Sequence, residues 1–311
     1  MDSATETKTV AGDTNKRGLL LQFAFHLSKE GKSEGTITTY TSFLKRLTRH
    51  ADLDDPESVK EHLAKIKKSG NTKAAYCVAY TAFLSWQGRT WKPPKYSARS
   101  PIPEFLPTEE EIDQLIAGSG KKTAAILQTL KETGMRIGEC LSLKWTALNE
   151  KANTLTLNTP EKNSLPRICK VSPKLVMILQ SLPRTHERIF GATKAKDAQS
   201  NFSRARKNIA AKVGNPRLAR IHFHLIRHWF GTMEYHKKPD PDHVRRLLGH
   251  RSLQSTQIYI NMAQAHFADN ADDYHVKVAT TVKEAMALIK VGFEYITGEY
   301  DDGGKIFRKR K

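Results

Sequence analysis

HFHLIRHWFGTMEYHKKPDPDHVRRLLGHRSLQSTQIYIN, residues 222–261, holds more reactive side chains than any other stretch of the chain. Apolar residues recur at helical spacing through 224–236, a proline-marked break follows, and helical patterns resume at 241–248 and 253–261. His224 and Arg227 are three apart and therefore share one helix face. His228 comes next, and Trp229 and Phe230 read as anchors in a core. Leu248-Gly249-His250 closes the second pattern, and Tyr259 stands between Ile258 and Ile260 in the third. Three helices in so short a span set a mainly α reading.

Working towards the N-terminus, residues 153–158 (NTLTLN) alternate and 166–171 (PRICKV) are β-compatible. With the turn from Glu161 to Leu165 they read as a β-hairpin packed on helices, with Lys162 in the turn. Further helical patterns lie at 173–182 and about 197–212. Gly134-Met135-Arg136-Ile137-Gly138-Glu139 starts another helix with an arginine at its head, Gly134 serving as C-cap of the one before. Thr108 and Glu111 form a capping-box signature. Residues 91–107 hold five prolines and no helical period, which reads as a linker, kept positive by Lys92, Lys95 and Arg99. Before it come four helical patterns, the third capped by Asp55 with Pro56 at its first position and the fourth opened by Asn71. Residues 1–14 are small and polar and read as disordered. On the other side, residues 279–291 read as a helix. Asp301-Asp302-Gly303-Gly304 reads as a hairpin turn, and Arg308 to Lys311 as a basic tail. The fold class is mainly α with a small β-sheet.

The formal net charge is +19 over 311 residues. Residues 1–100 carry 17 Lys+Arg against 10 Asp+Glu, and the remainder 34 against 22, so both halves are basic. An acidic polymer is the first partner to consider, because neutralising phosphates releases counterions. Three cysteines (Cys77, Cys140, Cys169) without close spacing speak against a disulfide framework and a cysteine zinc site. With no apolar run long enough to span a bilayer and no secretory pattern, the sequence reads as that of a cytoplasmic, nucleoid-associated protein.

Breaking a DNA strand without a metal needs a nucleophile in line with phosphorus, cations for the phosphoryl oxygens, and an acid for the departing 5′ oxygen. Arg136, Lys162, His224, Arg227, His250 and Tyr259 are a set of that kind. In this order, with Gly134 and Glu139 around the first arginine and Leu248-Gly249 before His250, they resemble the signature of the tyrosine recombinases, the phage integrase and Xer-type family. The resemblance covers about residues 107–262, and the basic C-terminal end is similar to archaeal members.

The resemblance implies an α-helical core-binding domain over 15–90, the linker 91–107, a mixed α/β catalytic domain over 108–270 and an extension over 271–311. It implies a site-specific recombinase acting on double-stranded DNA as a homotetramer, through a 3′-phosphotyrosine, with neither metal nor ATP. Arg136 and Arg227 would grip the scissile phosphate. Tyr259 would attack, and since an ordinary tyrosine is protonated at neutral pH it needs an acceptor, for which His224 is the candidate. His250 would bond a phosphoryl oxygen, Lys162 would protonate the leaving oxygen, and Glu139 would orient its neighbours.

Each residue alone has a plainer reading. Tyr259 between isoleucines fits a half-buried core tyrosine, His224 and Arg227 an exposed pair, and His250 a satisfied helix end. Lys170 and Lys174 compete with Lys162. His222, His224 and His228 evoke a metal, yet no carboxylate or cysteine sits at ligand spacing. Residues 241–261 also read as a helix-turn-helix with Ser252 as a cap, which would make a non-catalytic DNA-binding regulator but leaves Arg136 and Lys162 unexplained. A type IB topoisomerase would share the chemistry without sequence preference.

Overall fold

The computed structural model describes residues 17–97, 103–162, 164–267, 274–297 and 304–310. The expected disorder at 1–14, the phosphate contact by Arg99 and the turn at 301–303 lie outside them. The chain forms two compact units, Met1–Pro101 and Ile102–Lys311.

The first unit holds helical residues 17–29 (α1), α2 Glu34–Leu47, α3 Pro56–Lys65 and α4 Gly70–Trp86. Their apolar stripes close over Phe23, Leu44, Leu63, Tyr80 and Phe83, all shut off from solvent. Asp55 caps α3 as expected, but α4 begins one residue before Asn71, because Ser69 accepts the Thr72 amide. Residues 91–97 have no regular structure, yet Trp91 and Tyr96 pack on this core, and Trp91 Nε1 donates to Thr81 Oγ1 at 2.8 Å. That half of the expected linker is therefore pinned to the unit before it, with Lys92 and Lys95 exposed.

The second unit begins with α5 Glu109–Gly118, set by the Thr108–Glu111 capping box, and α6 Lys121–Thr133, ended by Gly134 at φ 59°. Then come α7 Ile137–Ser142 and the strands β1 Leu148–Asn149, β2 Thr154–Leu157 and β3 Arg167–Lys170, antiparallel in the order β1-β2-β3. The hairpin is thus joined by a third, two-residue strand. Helices α8 Pro173–Gln180, α9 Ala195–Val213, α10 Phe223–Lys237, α11 Pro241–Leu248 and α12 Gln257–Phe267 complete the body. Helix α10 runs through the middle, packed on α6, α11 and α12, and most of its first nine residues are buried. Asp240 accepts the Asp242 and His243 amides to start α11, and Gly249 at φ 68° ends it. The expected helix over 253–261 divides. Ser252 caps a short 3-10 turn at Leu253–Ser255, and α12 runs on to Phe267.

Beyond α12 the chain forms β4 Tyr274–Ala279, α13 Val282–Lys290, β5 Glu294–Thr297 and β6 Lys305–Arg310, with sheet order β4-β6-β5 around Ala279, Phe293 and Phe307. Two expectations change here. The helix starts at Val282 rather than Ala279, which ends a strand, and Arg308 to Arg310 belong to the central strand rather than to a tail.

Candidate active site

Five of the six expected side chains, all except Lys162, stand on or beside helix ends fixed by the caps above. Arg136 follows the left-handed Gly134 and caps α7. Glu139, wholly buried, grips it twice: Oε2 accepts from the Arg136 amide and Oε1 from Arg136 Nη1, both at 3.0 Å. Arg136 Nη1 also donates to Ser164 Oγ in the β2–β3 turn at 2.5 Å. A third partner comes from β3, where Arg167 Nη2 donates to Glu139 Oε2 at 2.8 Å. Burial alone would raise the Glu139 carboxyl. The hydrogen bond and charge of Arg167, the Arg136 amide and the Arg227 charge outweigh it and hold the group below the usual carboxylate range.

Arg227, 1% exposed, lies at the centre. Its Nη1 donates to Gly134 O at 2.6 Å, and its Nη2 faces Leu248 O at 3.0 Å and His250 Nε2 at 2.9 Å. Three of its five donors thus tie together the ends of α6 and α11 and the loop into α12. Burial pulls the guanidinium down to about 10, with Tyr259 acting in the opposite direction, so it stays charged at neutral pH.

His250 Nδ1 lies 3.1 Å from Thr256 Oγ1. Burial first, then the charges of Arg227, Arg136 and Arg167, push His250 down to about 3. The His224 ring reaches the surface but is pulled to about 4 by its place against the protein body and by Arg227, His222, Arg136 and Lys162. It meets His228 edge-on, ring centroids 4.6 Å apart. His228 is lowered to about 4, chiefly by burial, and its Nδ1 has no hydrogen-bond partner among the described residues. The Tyr259 ring, 3% exposed, lies 5.5 Å from the His228 ring and 5.9 Å from that of His250. Gly231 makes room for it, since a Cβ there would fall 2.7 Å from Tyr259 Cδ1. Lys162 is exposed in the β2–β3 turn at φ 53°, a conformation uncommon for a lysine, with its charge acting on His224. Lys170 instead borders a hollow beside Trp229 and Lys237, and Lys174 sits in the first turn of α8.

Five of the six expected side chains thus gather round one spot with Glu139 beneath them, and the charge of Lys162 reaches His224 from the turn. Sequence reasoning did not single out Arg167, Ser164, Thr256 or the contact of His228 with Tyr259. Arg167 had a signal, an arginine opening the strand that follows Lys162. In the helix-turn-helix reading Ser252 caps the second helix; in the structure it caps only the 3-10 turn at Leu253–Ser255, and α12 buries Tyr259, Ile260, Met262 and Ala263 against the body while Gln257, Asn261 and Gln264 stay exposed. Among the described residues no three His, Cys, Asp or Glu side chains converge as metal ligands, His222, His224 and His228 included.

Residues 106–266, just over half of the 311, match the family model described as "Phage integrase family". The chain belongs to that family. Among curated relatives it is similar to tyrosine recombinase XerA of Pyrococcus furiosus, 27% identical over 269 residues, covering 82% of this chain and 93% of the relative. Tyrosine recombinase XerC of Xanthomonas campestris is 26% identical over 227 residues, 67% of this chain and 68% of the relative. Among solved structures, the Tn1549 transposon integrase in complex with a circular intermediate DNA superposes with a TM-score of 0.59 at 14% identity, over 88% of this chain and 99% of that one. A lambda integrase dimer bound to a COC′ core site gives 0.56 at 16% identity, over 78% and 94%. These structures share the fold, that of the tyrosine recombinases, and with the family goes the enzyme class: this phage integrase family member is a tyrosine-type site-specific recombinase. Among the described residues no helix is long and apolar enough to cross a membrane.

Proposed function

We propose that the protein cleaves and rejoins duplex DNA at paired sites through a covalent bond between Tyr259 and a backbone phosphate. One observation carries this reading. The Tyr259 ring packs against His228 and His250, and His250 is bonded to a buried arginine whose neighbours are Arg136 and Glu139. An ordinary core tyrosine has no need of a buried arginine with a half-buried one beside it, whose desolvation is costly unless something anionic arrives to meet them.

In the reaction, Tyr259 Oη bonds to phosphorus and the bond from phosphorus to O5′ breaks. The phenol proton passes to His224, which is neutral at physiological pH and free to accept it. Lys162 protonates the leaving O5′, and Arg136, Arg227 and His250 hold the phosphoryl oxygens. Religation runs the same steps backwards, with the phosphotyrosine keeping the bond energy. Because the Tyr259 ring is buried, engaging a phosphate calls for a shift of α12. Residues 15–90 serve as a DNA-gripping domain and 108–270 as the catalytic one. Lys92, Lys95 and Arg99 of the connecting segment would contact phosphates. A lambda integrase of the same fold has been seen as a tetramer bound to a Holliday junction, and this chain acts likewise as a homotetramer in the cytoplasm, on the nucleoid.

The test is covalent trapping. Wild type and Tyr259→Phe are incubated with fragments flanking the protein's own gene, without divalent metal, and run on a denaturing gel. An adduct with wild type alone supports the reading, and mapping its end gives the cleavage site. Binding without an adduct favours a non-catalytic regulator, and adducts on random DNA favour topoisomerase-like relaxation.

A further inference from the structure

Arg167 belongs to none of the roles assigned above, yet it touches most of the parts that hold them. Its side chain is buried and pairs with Glu139 at 2.8 Å. Its Nε and Nη1 are buried without an oxygen or nitrogen acceptor among the described residues, and the other side chain bonded to the guanidinium is the Cys169 thiol, a weak acceptor. Buried donors so poorly matched cost stability, so an arginine is a poor choice here for stability alone. Nη1 lies flat against Gly249, where a Cβ would approach it to 2.8 Å, directly before His250. The strand that carries Arg167 leaves the Lys162 turn, which is tied to the same corner by the Leu165 amide donating to Gly249 O at 2.9 Å. Glu139 in turn holds Arg136, which reaches Ser164 in that turn.

We propose that Arg167 is a positioning residue for strand cleavage: by pinning the Glu139 carboxylate it sets Arg136 and the turn that carries Lys162. This rests on the cleavage chemistry proposed above and adds a residue to it. Glu139 is faced by Arg136 at the head of α7, Arg167 on β3, Arg227 on α10 and His250 before α12, with the thiols of Cys140 and Cys169 beside it. Without Arg167 the buried carboxyl loses its strongest partner and its pKa rises. The ionised form that grips Arg136 is then lost as pH falls through that raised value.

Cleavage by wild type, Arg167→Gln, Arg167→Lys and the double variant Arg167→Gln/Glu139→Gln is followed from about pH 5 to 8 on fragments flanking the gene. Alongside, the Glu139 carboxyl is titrated by carbon NMR, without DNA, in wild type and the two single variants. Arg167→Gln should bind DNA as wild type does but form adduct about 10- to 100-fold more slowly. It should also show a new acid limb that the double variant lacks and that Arg167→Lys largely removes. Should Arg167→Gln fail to fold, Arg167→Lys carries the comparison through a weaker limb. A wild-type pH profile in Arg167→Gln overturns the inference, and so does a Glu139 titration that does not move between wild type and Arg167→Gln. If wild type itself forms no adduct, the cleavage reading fails, while the Glu139 titration still decides the role of Arg167.

Discussion

His250 Nε2 lies 2.9 Å from Arg227 Nη2. A guanidinium carries only donors, so the imidazole accepts there and its proton sits on Nδ1, facing Thr256 Oγ1 at 3.1 Å. Nitrogen NMR of the protein alone should show a neutral Nδ1–H ring at pH 7 and still at pH 5, since His250 titrates at about 3. An Nε2–H form, or a charged ring at pH 5, would contradict the arrangement. Bringing a phosphate to this ring favours its charged form, which is how an acceptor for Arg227 becomes a donor to the substrate.

The same depressed histidines make stability depend on pH. Unfolded, such rings titrate near about 6.5, whereas in the fold His228 titrates at about 4 and His250 at about 3. The unfolded chain therefore binds more protons in that window, and stability falls as pH falls below about 6.5. Each ring costs about 1.4 kcal/mol per pH unit, so lowering pH from 7 to 5 removes about 2 kcal/mol per ring. His228, whose Nδ1 is unpartnered among the described residues, can be replaced without losing a hydrogen bond from that nitrogen. His228→Leu should shrink the gap between urea midpoints at the two pH values, and an unchanged gap would place the acid sensitivity elsewhere.

Gly138 follows Arg136 by two residues, and a Cβ on it would run into the Glu161 carboxylate. That carboxylate is the end of a flexible side chain next to Lys162, so Gly138→Ala should cost little stability while displacing the turn. The expected result is slower cleavage, about tenfold, with DNA binding kept, by analogy with other orienting contacts. Adding Glu161→Ala should restore much of the rate. Failure of the second change to rescue would mean that the turn does not respond to this contact.

Helix periods and caps were legible because each depends on neighbours in sequence, Asp55 with Pro56 and Thr108 with Glu111, whereas the six proposed reactive residues were picked out by their order along the chain and by flanks such as Gly249 before His250. Arg167 was not, since its significance is an ion pair across 28 positions to Glu139. Strand β4 was hidden for a related reason. Residues 274–279 pair with 305–310 across an intervening helix, and Val276 and Val278 remain exposed, so no local turn announces the strand. The division of 253–261 into a 3-10 turn and α12 follows from Ser252, whose hydroxyl caps Gln254, a local signal that reads equally well as the start of a longer helix. The sequence named Tyr259 as the nucleophile, but only packing shows that its ring is shut in beside Gly231 and His228.

That packing yields a last prediction. In a helix interior, Gly→Ala ordinarily stabilises by about 0.5–1 kcal/mol, and Gly231 has helical backbone. Here the added methyl would meet Tyr259 at Cδ1, Cε1 and Cγ, at 2.7–3.0 Å, and a ring wedged against His228 and His250 has little room to retreat. Gly231→Ala should therefore lose the usual gain and end at or below wild-type stability. Displacing α12 also displaces the nucleophile, and a misplacement of about 1 Å can cost about a hundredfold in rate. Covalent adduct formation should fall by about that factor, while affinity for the same DNA, which depends on the basic surface, should hold within about twofold. A variant that gains stability and cleaves normally would show that Tyr259 acts from a position clear of α10.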